Sequence, residues 1–237
     1  MSDARFSEAV QLLDASSGTD GLHRPFLRGL TVDGASVATL GSPLGSETIA
    51  SSDDLALRID ELQFDLGEGP CWDSLATGAP VIEPDVRGLP RHEWPAFSEA
   101  IRELELGALF AFPLRVGPLR LGAVDLYRVR PGTLSEDDQA HALRVADLVG
   151  RRVLRQAIVD AAGHDDEGPR ASRYTRRAVH QATGMVLAQV GTTPEDAHLL
   201  LQAHAFATGT PLREVAEEVL RGALSFSATD DQIEDDR

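Results

Sequence analysis

The sequence predicts an α+β fold: an N-terminal antiparallel sheet flanked by helices, followed by an all-α bundle of three short helices. Three observations predict it. Two apolar, aromatic-bearing runs, ALFAFPLRV (108–116) and RLGAVDLYRV (120–129), flank the turn dipeptide Gly117-Pro118, the pattern of two paired central strands. Strand-prone and helix-prone stretches mix over the first 160 residues without the strict alternation of a parallel βαβ sheet. Beyond residue 170 the apolar spacing is helical throughout.

Taken in order, Phe6, Ala9, Val10 and Leu13 make one apolar stripe of an opening helix. The β-prone runs 35–40 (ASVATL) and 47–51 (ETIAS) are separated by the Gly/Pro/Ser cluster 41–45, a hairpin connection. Leu55, Ile59 and Leu62 share one face of a short helix that ends before the breaker-rich GEGPC at 67–71, and Pro70-Cys71 opens another short helix through Leu75. Residues 80–83 read as a strand and 94–104 as a helix. After Pro131-Gly132, the capping pattern Ser135-Glu136-Asp137-Asp138 starts a long helix over 135–161. Its buried side is expected to carry Leu143, Ala146, Leu148, Val149, Val153, Leu154 and Ile158.

The polar, breaker-rich GHDDEGP then separates two helical patterns. In the first helix beyond it, Tyr174, Ala178, Ala182, Met185 and Val186 line one side, and Gly191 stops it. The second opens on Thr193-Pro194-Glu195-Asp196, with a threonine cap, proline at the first position and acids in the first turn, and ends at Gly209. The third follows Thr210-Pro211 and buries Leu212, Val215, Ala216, Val219 and Leu220. The expected boundaries are therefore a sheet-containing domain at 1–162, a linker at 163–170, a three-helix domain at 171–224 and an acidic, disordered tail at 225–237.

Composition removes several function classes. No run approaches the roughly 18 apolar residues of a membrane span, and the N-terminus lacks the basic-then-apolar order of a signal peptide, so the expected location is the cytoplasm, away from the membrane. The single cysteine, Cys71, excludes a disulfide framework and a two-thiol redox cycle within one chain. The net charge of -16 opposes non-specific attraction to nucleic acid or anionic membranes. Its distribution matters more than its sum: five arginines balance five acids over 171–222, whereas 223–237 carries five acids against one arginine.

Candidate chemistry is sparse. Cys71 sits at a helix start, which lowers a thiol pKa, but no Lys or Arg is near and Asp73 follows, so a buried small hydrophobe is the plainer reading. Gly67-Glu68-Gly69 lacks the spacing of a phosphate loop and reads as a turn. The seven histidines include no HExxH, and no G-x-S-x-G is present, so neither a metal, a cofactor nor a catalytic residue is expected. Phe64, Cys71, Trp72, Trp94 and Phe97 are the candidates to line a small-molecule pocket, with plain core as the competing reading.

Residues 173–224 resemble the ANTAR family of RNA-binding transcription antiterminators. The matching residues are HQATGMV (180–186), PEDAHLLL with Ala197, AHAFATGTPL (203–212) and REVAEEVL (213–220). Small residues at Ala182, Gly184, Ala197, Ala203 and Ala216 fall where three helices are expected to approach closely. Residues 1–160 resemble the GAF domain that precedes ANTAR in actinobacterial regulators, through LGEGPCWDSLATGAPV, WPAF, FAFPLRVG and LGAVDLYR.

The resemblance implies an RNA partner, tandem stem-loops in a leader transcript, bound by a homodimer whose GAF half senses an unidentified small molecule or protein. It implies Arg173, Arg176 and Arg177 for phosphate contact and His180, Gln181 and Thr183 for loop bases, with His204 as a further basic candidate. Spacings of three and four let the arginines and His180 share a helix face, which is also how an ordinary solvated face looks. The long helix 135–161 is the expected dimer element and transmitter, through Leu148, Val149 and Leu154, with packing on its own sheet as the plainer alternative. A rival function is a ligand-binding or dimerisation protein whose ANTAR half does not bind RNA, motivated by the absence of Lys and Arg from 194–212. A GAF-type enzyme is disfavoured by the missing nucleophile-base pair.

Overall fold

The computed structural model describes residues 2–15, 18–19, 21–41, 43–88, 93–162 and 171–227, and falls into two compact units, Met1–Gly168 and Pro169–Arg237. The expected linker 163–170 and the tail from 228 onward lie outside the described residues.

The first unit contains helices α1 (Ser2–Ala15) and α2 (Arg24–Gly29), strands β1 (Gly34–Thr39) and β2 (Glu47–Ser51), helices α3 (Asp54–Leu66) and α4 (Pro70–Thr77), strand β3 (Val81–Glu83), helix α5 (Pro95–Ala100), strands β4 (Ala108–Val116) and β5 (Leu119–Arg128), and helix α6 (Glu136–Ala162). The strands form one antiparallel sheet in the order β2-β1-β5-β4-β3. β5 therefore pairs on both edges, and its partners on β1 approach closely: a Cβ on Gly122 would lie 1.9 Å from the Ala38 carbonyl oxygen. Only glycine fits there.

The period-2 alternation of the strands divides the core. Val37, Phe110, Phe112, Val124 and Leu126 point to one side, where Ala9, Leu13, Phe26, Ala142, Val145, Ala146, Val149 and Val153 of α1, α2 and α6 cover them. Leu109, Ala123 and Tyr127 point to the other, under α3, α4 and α5. Arg144 lies 3.8 Å from the Phe6 ring centroid and Arg5 bridges to Asp138 at 2.9 Å, fastening α1 to α6.

Three sequence expectations are corrected. Helix α2 was not anticipated, because six residues carry too little periodicity, yet its Phe26 is fully buried. The helix expected over 94–104 is regular only at Pro95–Ala100. Ile158, expected on the buried side of α6, is 60% exposed, since 27 residues at about 1.5 Å each outrun strands of 9 and 10 residues. Val149 is fully buried in its own unit, with Leu148 and Leu154 packed against the same core, as the plainer alternative predicts.

The second unit is α7 (Ala171–Val190), α8 (Pro194–Thr208) and α9 (Leu212–Leu220). The Thr193 hydroxyl accepts from the Asp196 N–H at 3.1 Å and Gly209 (φ 65°) caps the far end of α8 in the left-handed region. Val179, Ala182 and Val186, Ala197 and Leu201, and Leu212, Val215, Ala216 and Val219 form the interior. Met185 and Leu220, expected inside, are instead 37% and 36% exposed. Ala182, Ala197 and Ala216 are fully buried in the bundle, whereas Gly184 and Ala203 are exposed, and a Cβ on Gly184 would meet nothing within 4 Å. Among the described residues no helix is long and apolar enough to cross a membrane.

His141 of α6 is 1% exposed, neither ring nitrogen has a hydrogen-bond partner, and its ring lies so close to Gly29 that a Cβ there would be 2.4 Å from Nε2. Burial holds its pKa below 6.5, Arg5 and Arg144 push the same way, and Asp138 opposes. The unfolded chain therefore protonates His141 first, and the stability present above about pH 6.5 is lost as pH falls below it. Thermal melts between about pH 7 and pH 5 should show a falling Tm whose slope is smaller in His141→Leu; an identical slope in that variant would exclude His141 as a source.

Candidate functional site

The motif between α3 and α4 builds one interlocked feature. Asp53 caps α3 by accepting from the Ala56 N–H at 2.8 Å, and the Tyr127 hydroxyl donates to the same carboxylate at 3.0 Å. Burial and then that hydrogen bond raise the Tyr127 pKa above its ordinary 10. α3 stops at Gly67 (φ 66°), after which the Glu68 carboxylate accepts from the Phe97 N–H at 2.6 Å and so caps α5. Gly69 (φ 130°) passes directly over Gln63, where a Cβ would lie 2.7 Å from Cγ and Oε1. The glycines and the acid of GEGP are thus required by chain direction and by close approach.

Gln63, fully buried, is the centre of this feature. Its Nε2 donates to Asp125 Oδ2 at 2.6 Å, its Oε1 accepts from the Cys71 N–H at 2.8 Å, and its backbone carbonyl accepts from Trp72 Nε1 at 2.7 Å. One turn earlier on α3, Asp60 accepts from the Thr48 hydroxyl. Two buried carboxylates, Asp60 at 1% and Asp125 at 5% exposure, therefore meet neutral donors on the sheet face beneath α3 and α4. Ser36 pairs opposite Asp125 and is itself buried, while the Ser74 hydroxyl is fully buried with no hydrogen-bond partner. Burying this much polarity costs stability unless each group is bonded.

Four of the five sequence-expected pocket residues divide between two packing clusters. Cys71 and Trp72 pack with Leu40, Leu75 and Ala123. Phe97 and Trp94 belong to a separate cluster with Ile59, Leu62, Val86 and Ile101. Phe64 is 6% exposed, and Trp94, in the left-handed region at φ 47°, donates from Nε1 to Asp73 at 3.0 Å. Phe64, Cys71 and Phe97 are buried, whereas Trp72 and Trp94 are half-buried. The residues missed by sequence reasoning are Gln63, Asp125, Asp60, Thr48 and Ser74. A signal existed: Asp60 and Gln63 share the apolar face of α3 with Ile59 and Leu62, and Asp125 interrupts the apolar run GAVDLY. Beside α5 opens a cavity of about 320 Å³ lined by Val86, Arg87, Pro95, Ser98, Ile101 and Arg102, large enough for a small ligand. Among the described residues no three His, Cys, Asp or Glu side chains are grouped to hold a metal.

In the second unit Arg173, Arg176 and Arg177 fall within α7, with side chains outside the described residues. His180 and Gln181 are exposed. Thr183 is a correction: it is 9% exposed and its hydroxyl donates back to the Val179 carbonyl at 2.8 Å, so it belongs to the interior and not to a base-reading face. His204 is half-buried, its ring edge-on to Phe226 at 5.9 Å. Burial, and then His180, hold the His198 pKa below 6.5. Gln181, Gly184 and Ala188 make an exposed row at spacings of three and four, and a Cβ on Gly184 would meet nothing within 4 Å.

Residues 7–153 match the family model of the GAF domain, over half of the chain, and residues 170–220 match that of the ANTAR domain. This chain is a GAF-family protein with a C-terminal ANTAR domain. Solved structures share the GAF fold: the GAF domain of a phosphoenolpyruvate-protein phosphotransferase from Coxiella burnetii has a TM-score of 0.52 at 14% identity, covering 68% of this chain and 96% of that one. The equivalent domain from Acinetobacter scores 0.52 at 12% identity, covering 68% and 98%. Free methionine-R-sulfoxide reductase from Neisseria meningitidis scores 0.50 at 12% identity, covering 68% and 92%. No curated protein matches significantly. Both domains of the GAF-ANTAR chain are regulatory types, one sensing signals and the other binding RNA. Likeness to a reductase at this identity shows the fold alone, and Cys71, the chain's single cysteine, is 2% exposed.

If Gln63 is the bond that closes α3 and α4 onto β5, Gln63→Ala should lower the unfolding free energy by roughly 2–4 kcal/mol in urea titrations, because the Asp125 carboxylate and the Cys71 N–H lose partners inside the core. A loss below about 1 kcal/mol would mean that water or a neighbour replaces the amide without cost.

Proposed function

We propose that this protein is a signal-responsive transcription antitermination regulator and not an enzyme. Its ANTAR unit binds paired RNA stem-loops in a leader transcript in the cytoplasm, as a homodimer, and its GAF unit senses a small molecule or a protein. The chain works as a sensor over 1–162, a linker at 163–170, an RNA-binding bundle at 171–224 and a tail at 225–237. The observation that carries this reading is the outward face of α7: His180 and Gln181 are exposed and Gly184 offers bare backbone, while the described interior of the bundle is built from other residues. A glycine inside an exposed helix costs about 1 kcal/mol relative to alanine, a cost that a close-approaching partner backbone offsets.

Loop bases are read on such a face by hydrogen bonds from His180 and Gln181, and Arg173, Arg176 and Arg177 on the same helix supply phosphate contacts. The GAF signal acts at the buried polar cluster around Gln63 and Asp125 or at the cavity beside α5. It shifts the RNA-competent population only by the difference in its affinity for the two states.

Gel-shift titrations of tandem stem-loop RNA test this. Arg176→Ala with Arg177→Ala should weaken binding at least tenfold and lower the salt slope by about 2, whereas Gln181→Ala should reduce discrimination between loop bases at a nearly unchanged slope. Equal, weak binding to every RNA by the wild-type chain would favour the second reading, a ligand-binding and dimerisation protein whose ANTAR half ignores RNA. The absence of any Lys or Arg from 194–212 is what favours that reading.

A further inference from the structure

We propose that the cleft between α1 and α6 of the GAF unit binds a doubly charged oxyanion carried on a short apolar body, the chemistry of a small phosphate monoester. The two helices run parallel, and near their starts Arg5 bridges to Asp138 and Arg144 lies over the Phe6 ring. Those contacts close the first part of the seam. Further along, it opens into a cavity of about 120 Å³, roughly the volume of four waters, floored by Val10, Leu13 and Leu148. Its rim carries Arg151, Arg152 and Arg155 of α6 against a single carboxylate, Asp14 of α1.

The rim holds more positive charge than the fold uses. Arg152 is tied to the chain just beyond α1, where its Nε donates to the Gly18 carbonyl at 3.3 Å. Arg151 and Arg155 are exposed, and among the described residues neither is ion-paired or hydrogen-bonded, to Asp14 or to any other group. They stand at i and i+4, where like charges repel each other. Residues 148–159 of α6 contain these three arginines and no acid, in a chain of net charge -16. Asp147, one turn before Arg151, is taken by Arg115 at 3.5 Å. Three guanidiniums against one carboxylate leave a net positive rim that a dianionic phosphate neutralises, and guanidinium forks match its oxygens two at a time. The apolar floor offers nothing to a charged head and takes the carbon body instead. This cleft lies on the opposite side of the sheet from Gln63 and Asp125 and from the cavity beside α5, so it is a site additional to both.

Isothermal titration of the full chain at about pH 8, where a phosphate monoester is doubly charged, tests this with n-propyl phosphate, inorganic phosphate and propionate. Propyl phosphate should bind saturably and about tenfold or more tightly than inorganic phosphate, which lacks the carbon body, or propionate, which carries a single charge. Arg151→Gln with Arg155→Gln should weaken it by about tenfold or more while keeping its circular dichroism. Asp14→Asn should tighten it, because the one opposing charge is removed. Arg87→Gln with Arg102→Gln, at the cavity beside α5, should leave it unchanged. The absence of saturable binding at millimolar concentration, an affinity indifferent to Arg151 and Arg155, an Asp14→Asn variant that binds no more tightly, or a loss in the Arg87 and Arg102 variant would each overturn the proposal, the last by moving the anion to α5. Each outcome is independent of whether the chain binds stem-loop RNA.

Discussion

A buried amide cannot be left unbonded without cost, and the GAF unit is arranged around satisfying one. Gln63 spans the gap between α3, α4 and β5, donating to Asp125 and accepting from the N–H of Cys71. For α4 to start within reach of that oxygen, the chain must reverse in the three residues after Leu66, which needs Gly67 in the left-handed region and Gly69 against the Gln63 side chain. Glu68, between them, turns outward and caps α5. Gln63 and Glu68 therefore together set the positions of three helices over one face of the sheet. The other face is apolar and is held by area burial under α1, α2 and α6.

The two faces of the sheet are stabilised in different ways. The apolar side supplies stability that does not depend on hydrogen-bond geometry. The polar side concentrates groups whose energy changes sharply when a partner is exchanged: two carboxylates on neutral donors and the Ser74 hydroxyl. The ANTAR unit follows another logic. Its interior is made of small and medium apolar residues, Ala182, Ala197 and Ala216 fully buried among them, and the exposed His180, Gln181 and Gly184 lie on the outside of α7.

The fold was legible where periodicity is long. β4 and β5 were readable because nine- and ten-residue apolar runs surround one turn, and α8 because threonine, proline and glycine mark both of its ends. α2 was not, since six residues give no period to recognise. The site was less legible, because its polar residues hide inside apolar patterns. Asp125 looks like noise in a strand, and Gln63 like a surface residue of an amphipathic helix, until the strand order shows them facing each other. Aromatic residues drew attention instead, and of these Phe64 and Phe97 are buried while Trp72 and Trp94 are half-buried. Thr183 failed for a related reason: in a helix a threonine hydroxyl can bond its own backbone four residues back, and this one does.

The central claim is that the outward side of α7 reads unpaired bases. Photo-cross-linking of the intact chain to a tandem stem-loop RNA carrying 4-thiouridine in its loops addresses it without any substitution. The account predicts adducts concentrated within residues 173–184, at the positions of His180 and Gln181 above all. Adducts confined to α8, to α9 or to the GAF unit would contradict it.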